Sequence, residues 1–217
     1  MPTKKQNSIA KLVSSKLVST DGLQHAGYVA VAKTRAKVLK AVAYVIPIRR
    51  PMLFVGESSC DELCDMLINE GSTNVFIVTD AVLNKLGIPA KVTDYLDSKN
   101  ISYKVYDGIT PDPTFKVVEE GLRISVDAKC DSIIAIGGGS VIDAAKMIAM
   151  SQGNHCKPQQ LIGILKARKP SVPLYCVPTT AGTGSEATLC AVVTDAKTPQ
   201  TALSIDPRMA PLATAID

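Results

Sequence analysis

No apolar run in this sequence approaches the roughly 20 residues that a helix needs to cross a bilayer. The N-terminus also lacks a charged segment followed by an apolar stretch and a small-residue cleavage site, the arrangement that directs secretion. The six cysteines (Cys60, Cys64, Cys130, Cys156, Cys176 and Cys190) show no C-x-x-C spacing. At least three of them sit inside apolar runs, as small reduced core residues do. Together these absences predict a cytoplasmic protein. Histidine is scarce as well, with only His25 and His155 present. The first lies in a basic segment and the second in the polar loop Gly153-Asn154-His155, so neither belongs to a ligand cluster of the kind a metal requires. No internal repeat or low-complexity tract is present.

Acids are nearly missing from residues 1–50, where ten Lys and Arg face the single acid Asp21. That segment carries +9 of a net +4, so the remaining chain carries −5. The basic character therefore belongs to an N-terminal extension, and no basic patch with interleaved aromatics points to nucleic acid. Within the extension, Ile9, Leu12, Val13 and Leu17 share one helix face opposite lysines. A second apolar stretch, Val38 to Ile48, is interrupted by Pro47, and both segments read as short helices. Packing on the rest of the chain or on a partner subunit is the first reading of them. Peripheral contact with an anionic membrane surface is the second, because a basic amphipathic helix suits one, and disorder is the third.

With 46% apolar residues in a chain of 217, what remains can bury one good core. From Pro51 onward, short β-branched runs alternate with helical stretches. The runs are MLFV, NVFIVTD, ISYKVYD, DSIIAIGGG, VPLYCVP and CAVVTD, and helices are predicted near 57–70, 81–99, 113–128 and 140–151. Such alternation implies crossover units and an α/β fold, a mostly parallel Rossmann-like sheet covered by helices on both faces. The boundaries are thus a 1–50 extension and a 51–217 α/β domain. The chain finishes at Ala215-Ile216-Asp217, in what reads as a strand with nothing after it to complete a second domain. Ligands of such sheets bind outside the carboxyl ends of the strands. Those ends carry Asp80, Gly137 to Ser140, and Thr179 to Thr183.

Three features there carry chemistry. Ile133-Ile134-Ala135-Ile136-Gly137-Gly138-Gly139-Ser140 leads from an apolar strand through a glycine turn into an Ala-rich helix, and it reads as a phosphate site. Glycines admit an anion close to the backbone, the helix amides and dipole favour its charge, and Ser140 can cap the helix or bond the phosphate. Ile142 replaces the third glycine of G-x-G-x-x-G, and no G-K-[ST] follows, so neither the ordinary Rossmann fingerprint nor a P-loop is present. Asp80 closes the strand Val75 to Asp80. It can accept hydrogen bonds from a ribose diol and repel a 2′-phosphate, or it can cap the helix starting at Ala81. Val177-Pro178-Thr179-Thr180-Ala181-Gly182-Thr183-Gly184-Ser185-Glu186 concentrates hydroxyls and bare amides at a strand exit, donors suited to a dinucleotide.

The run I-G-G-G-S-x-x-D-x-A-K followed by P-T-T-A-G-T-G-S-E resembles the iron-containing (group III) alcohol dehydrogenases. V-T-D at 78–80, Y-D-G-I-T-P-D-P-T at 106–114 and D-P-x-x-A-P at 206–211 extend the resemblance over about residues 51–217. It implies a dehydroquinate-synthase-like dinucleotide domain followed by an all-helical metal domain. The first pair of metal ligands in such proteins, part of an Asp and three His holding iron or zinc, lies just downstream of where this chain stops. Asp80 would then bind the adenosine ribose, and Gly138, Gly139 and Ser140 the pyrophosphate. Thr179, Thr180 and Thr183 would follow the path from adenine to nicotinamide, with Asp112 beside the cofactor where many members have Asn. Asp143 and Lys146 belong to the motif, although a helix-capping acid and a surface lysine account for them equally well. Two positions depart from the pattern: Cys190 stands where a polar residue such as Asn is common, and Thr201 where a lysine is.

The resemblance implies reversible hydride transfer between a small alcohol and NAD, giving an aldehyde or ketone, with this chain supplying the cofactor half of a homo-oligomer, a dimer or larger. Two alternatives stand beside it. One is a catalytically inactive NAD-binding fragment. The other is a polyol dehydrogenase of the glycerol type, or a dehydroquinate synthase relative, against both of which the P-T-T-A-G-T-G-S-E loop argues.

Overall fold

The computed structural model describes residues 50–195 and 201–216. The helices expected around residues 9–17 and 38–48 lie outside them. Chain order runs β1 (Met52–Val55), α1 (Ser59–Asn69), β2 (Asn74–Asp80), α2 (Ala81–Lys85), α3 (Ala90–Ser98), β3 (Ser102–Ile109), α4 (Phe115–Asp127), β4 (Ser132–Gly137) and α5 (Gly139–Asn154). There follow β5 (Gly163–Ile164), β6 (Leu174–Pro178), β7 (Cys190–Thr194), β8 (Thr201–Ile205) and β9 (Ala213–Ile216), with short 3-10 turns between some of them.

Six strands form one sheet in the order β1-β9-β6-β4-β2-β3, and every pairing in it is parallel. β2 and β4 are apolar almost throughout because both of their faces are covered. Val75, Ile77, Ile134 and Ile136 pack on one side with Leu63, Leu67, Val92 and Leu96 of α1 and α3. Phe76, Val78, Ile133 and Ala135 pack on the other with Val118 of α4 and Ile142, Ala145 and Ile148 of α5. The α/β, mostly parallel, double-faced architecture read from the sequence is therefore present. No helix among the described residues is long and apolar enough to cross a membrane.

Two expectations are corrected. The helix predicted over 81–99 is two helices. Gly87 takes φ +73°, its amide bonds to Asn84 O and that of Ile88 to Leu83 O, and Pro89 then opens α3. This is a Schellman end, which a residue able to adopt positive φ imposes on the preceding turn. The run CAVVTD does not join the parallel sheet. β7 pairs antiparallel with β8, and β5 pairs with β8 to complete a separate three-stranded sheet. The link from Thr194 to Thr201 is too short for the crossover of a dozen or more residues that parallel strands need.

At the amino-terminal edge of the large sheet, one carboxylate clamps two strands. Asp131 Oδ2 accepts from Thr73 N at 2.8 Å, Thr73 Oγ1 at 2.7 Å and Asn74 N at 3.1 Å. Partial burial alone pushes this carboxyl up, but the donors together outweigh it and hold the group below its ordinary 3.8. The stability it adds is thus present above the unfolded-state value and is lost as pH falls through the lower folded value. Asp131→Ala should cost about 2 kcal/mol in denaturant unfolding near neutral pH, and the difference from wild type should shrink in acid.

All six cysteines are free thiols. Burial pushes the Cys64 and Cys176 thiols up to about 12 and Cys130 up to about 11. A thiol reagent at mildly alkaline pH should modify the partly exposed Cys156 and Cys190 first, and these three only on unfolding. Mass spectrometry of the labelled peptides reads the order.

Candidate functional site

Because the pairings are parallel, β2, β3, β4 and β6 all end on one edge of the sheet. The chain leaves β2 toward β3 on one side and returns to β4 on the other, so the connections diverge between β2 and β4. A crevice opens at such a switch point. Here it is a cleft of about 640 Å³ lined by Asp80 to Leu83 after β2, Ile109 to Pro111 after β3, Gly138 to Val141 after β4, and Thr179 and Thr180 after β6. Its size falls within the roughly 300–1,000 Å³ usual for ligand sites.

The floor is the start of α5. Gly138 is its N-cap in extended geometry, with no side chain capping the helix. The first-turn amides and the positive end of a 16-residue helix are left for an anion. Both glycines are needed for closeness as well. A Cβ on Gly138 would stand 3.1 Å from Thr180 Oγ1, and one on Gly139 would stand 3.2 Å from Ser185 Oγ and 3.4 Å from Thr183 Cγ2. The glycine turn and the threonine loop are therefore stacked on each other, and the space over the turn is a cradle that side chains would fill.

Asp80 sits in the wall and caps α2. Its Oδ1 accepts from Val82 N and Leu83 N, each at 2.9 Å, so Oδ2 faces no protein donor among the described residues. The capping function and a place in the cleft coexist in one residue. Of the remaining residues singled out in the sequence, Gly138, Gly139, Ser140, Thr179 and Thr180 line the cleft, and Thr183 packs against Gly139.

Asp112 and Asp143 stand off the lining. Asp112 is exposed in a left-handed turn (φ 51°), and from β3 it is Ile109, Thr110 and Pro111 that reach the cleft. Its loop touches the small sheet, where Thr194 N donates to Pro113 O at 2.8 Å and Thr114 bridges to Thr194. Thr201 pairs with Thr194 in the same place. Asp143 lies in the second turn of α5 and caps nothing. Its Oδ2 accepts from Val192 N at 3.1 Å and its Oδ1 is buried 3.9 Å from Lys146 Nζ. Desolvation pushes its carboxyl up against the opposing pull of Lys146.

The reading of Lys146 as a surface lysine is wrong: it is fully buried. Its Nζ donates to Ser185 O at 2.6 Å, Thr188 Oγ1 at 2.8 Å, Cys190 O at 2.9 Å and Thr188 O at 3.0 Å. Burial pulls its ammonium below the usual lysine value, and Asp143 pulls the other way. A signal was available in the sequence, since α5 is apolar all round and therefore enclosed. A lysine within it has to be paired.

Among the described residues no three His, Cys, Asp or Glu side chains gather as a metal site. His155 is exposed and closes α5 at the end away from the cleft, in left-handed geometry at φ 52°.

A family model described as iron-containing alcohol dehydrogenase matches residues 51–217. Lactaldehyde reductase of Escherichia coli (strain K12) is 38% identical over 164 residues, 75% of this chain and 43% of that protein. NAD-dependent methanol dehydrogenase of Bacillus methanolicus is 32% identical over 167 residues, 77% of this chain and 44% of that protein. The solved structure of an alcohol dehydrogenase from Oenococcus oeni superposes with a TM-score of 0.75 at 31% identity, covering 80% of this chain and 46% of that one. The chain thus spans less than half the length of the proteins it matches here.

The cap and the cradle can be tested separately from any assigned ligand. Asp80→Ala should cost about 1 kcal/mol in thermal unfolding because α2 loses both capping bonds, whereas Asp80→Asn should cost less. Gly139→Ala should leave the fold intact and weaken binding of inorganic pyrophosphate about tenfold, read by calorimetry, because the methyl group occupies the approach of an anion to the helix amides.

Proposed function

The chain belongs to the iron-containing alcohol dehydrogenase family, and from that membership and the cleft we propose that it supplies the dinucleotide-binding half of an NAD-dependent alcohol dehydrogenase. The observation that carries the reading is the convergence of Asp80, Gly138 to Ser140, and Thr179 and Thr180 on one crevice at the switch point of the sheet. In it, Asp80 Oδ2 accepts from the adenosine ribose. The α5 amides with Gly138, Gly139 and Ser140 hold the pyrophosphate. Thr179, Thr180 and Thr183 line the way to the nicotinamide, and Asp112 approaches from its exposed turn. Asp143 serves the same site by bracing α5 against β7. Bound NAD supplies the hydride acceptor, and the chemistry of the transfer is its own.

Among the described residues no basic side chain lines the cleft. The phosphates are therefore met by backbone amides and a helix dipole, and among the described residues Asp80 is the one formal charge in the wall. A 2′-phosphate placed beside that carboxylate is repelled, which favours NAD over NADP.

The described residues gather no ligand set that fits an iron or zinc ion. Metal binding and the pocket for a small alcohol or aldehyde belong, in this reading, to sequence equivalent to the relatives' unmatched length. The reading further includes residues 1–50 as a separate extension and a homo-oligomer, dimer or larger, working in the cytoplasm. The six free thiols suit a reducing compartment. A second reading, an NAD-binding module without catalysis of its own, rests on the same cleft.

Calorimetric titration of the 217-residue chain should show NAD binding tighter than NADP. Asp80→Asn, which keeps a capping oxygen and removes the charge, should narrow that preference about tenfold; tighter binding of NADP by the wild type would overturn the role given to Asp80. Added iron should leave the 217-residue chain inactive toward small alcohols. Turnover under those conditions would show that the metal half is dispensable.

A further inference from the structure

Lys146 reaches from the helix that forms the floor of the cleft to the loop that forms its far wall. At the cleft itself Thr180 lies over Gly138, and Thr183 and Ser185 over Gly139, each close enough that an added Cβ would touch them. The hydroxyl-rich loop from Thr179 to Cys190 is short of regular structure, with one 3-10 turn at Ser185–Ala187 and positive φ at Gly182 and Gly184. Left to its own backbone bonds, such a segment has several conformations of similar energy.

The Nζ group removes that freedom. It carries three protons and faces four acceptors, three of them main-chain carbonyls at Ser185, Thr188 and Cys190. The fourth, Thr188 Oγ1, also donates to Ser185 O at 3.2 Å. Ser185 O also accepts from Thr188 N at 3.3 Å and Cys190 opens β7, so the loop has local bonds of its own; what the ammonium adds is a single donor that joins three of its carbonyls to the helix, which an apolar side chain cannot do. Asp143, one turn earlier on α5, adds an opposite charge at 3.9 Å and ties the helix to Val192 N of β7. Both side chains thus bind the loop and hairpin to the same helix whose first turn receives the ligand.

We propose that Lys146 is a positioning residue for dinucleotide binding: from within the core it holds the Thr179–Cys190 loop at the height above Gly138 and Gly139 at which its threonines meet the ligand. The inference rests on the dinucleotide reading above. It differs from a stabilising role because it concerns where the loop stands, and a ligand that spans both walls reports on that position.

The test uses the 217-residue chain with Lys146→Met, which keeps an unbranched side chain of similar bulk, and Thr188→Val, which keeps shape and removes one acceptor. Affinities for NAD and for AMP are measured by calorimetry well below the unfolding midpoints, with circular dichroism confirming the fold. NAD should bind about tenfold or more weakly to Lys146→Met and a few-fold more weakly to Thr188→Val, while AMP, held at the Asp80 end, changes by less than about twofold. Amide hydrogen exchange should rise at residues 181–189 and not in β2 or β4. Equal loss of AMP and NAD, or unchanged NAD affinity in a folded variant, overturns the proposal. If Lys146→Met does not fold, Thr188→Val decides alone. A wild-type chain that binds neither ligand defeats the dinucleotide reading and this inference with it. Binding by the wild type with unaffected variants defeats the inference only.

Discussion

Parallel pairing of β2 with β4 and of β4 with β6 is the constraint on which the rest of the molecule depends. Val75 to Val78 lie beside Ser132 to Ala135, and Ile133 to Gly137 beside Leu174 to Pro178. The register brings the ends of these strands to a common edge, so residues far apart in sequence reach one crevice without any loop having to travel. It also enforces burial on both faces, since every crossover lays a helix on the sheet. Asp131 holds the opposite edge, where its carboxylate fastens the start of β2 to the start of β4. The amino edge is thus closed by side-chain hydrogen bonds, and the carboxyl edge is left open to bind.

Enclosure of α5 creates the second constraint. The helix is packed between the large sheet and the β7–β8 hairpin, and ten of its residues are buried. Its charged pair is expensive in that setting: burial works against the charged form of both Asp143 and Lys146. Buried ion pairs add little net stability compared with well-packed apolar residues, and conformational specificity is the best-attested reason to keep them. Here the specificity concerns a loop. The carbonyls of Ser185, Thr188 and Cys190 converge on one point in the core, and Lys146 donates to all three. The cost falls in the core, and the benefit falls at the cleft wall.

The family match and the cleft answer different questions. Membership of the iron-containing alcohol dehydrogenases follows from the match over residues 51–217. The kind of ligand the cleft favours follows from its lining, in which backbone amides, small hydroxyls and one carboxylate meet. Among the described residues no metal-ligand set gathers, and the chain spans less than half the length of the relatives it matches.

The sequence by itself determined the strands of the large sheet, most helix limits and the edge at which the cleft opens, but not β5 or β8. Each of those is a local property: short, β-branched apolar runs such as Asn74–Asp80 and Ser132–Gly137 suit a sheet buried on both faces, and the glycines that follow Ile136 end the strand and open a turn. The break at Gly87 was missed, although Gly and Pro two residues apart mark such a break. Only the tertiary structure decided that CAVVTD belongs to a second sheet, that Thr110 and Pro111 line the cleft while Asp112 is exposed beside it, and that Asp143 and Lys146 lie inside. The bonds of Lys146 span 39 to 44 residues. Helical periodicity compares a residue with neighbours three or four positions away, so it assigned Lys146 to a helix and could not tell what would close over it.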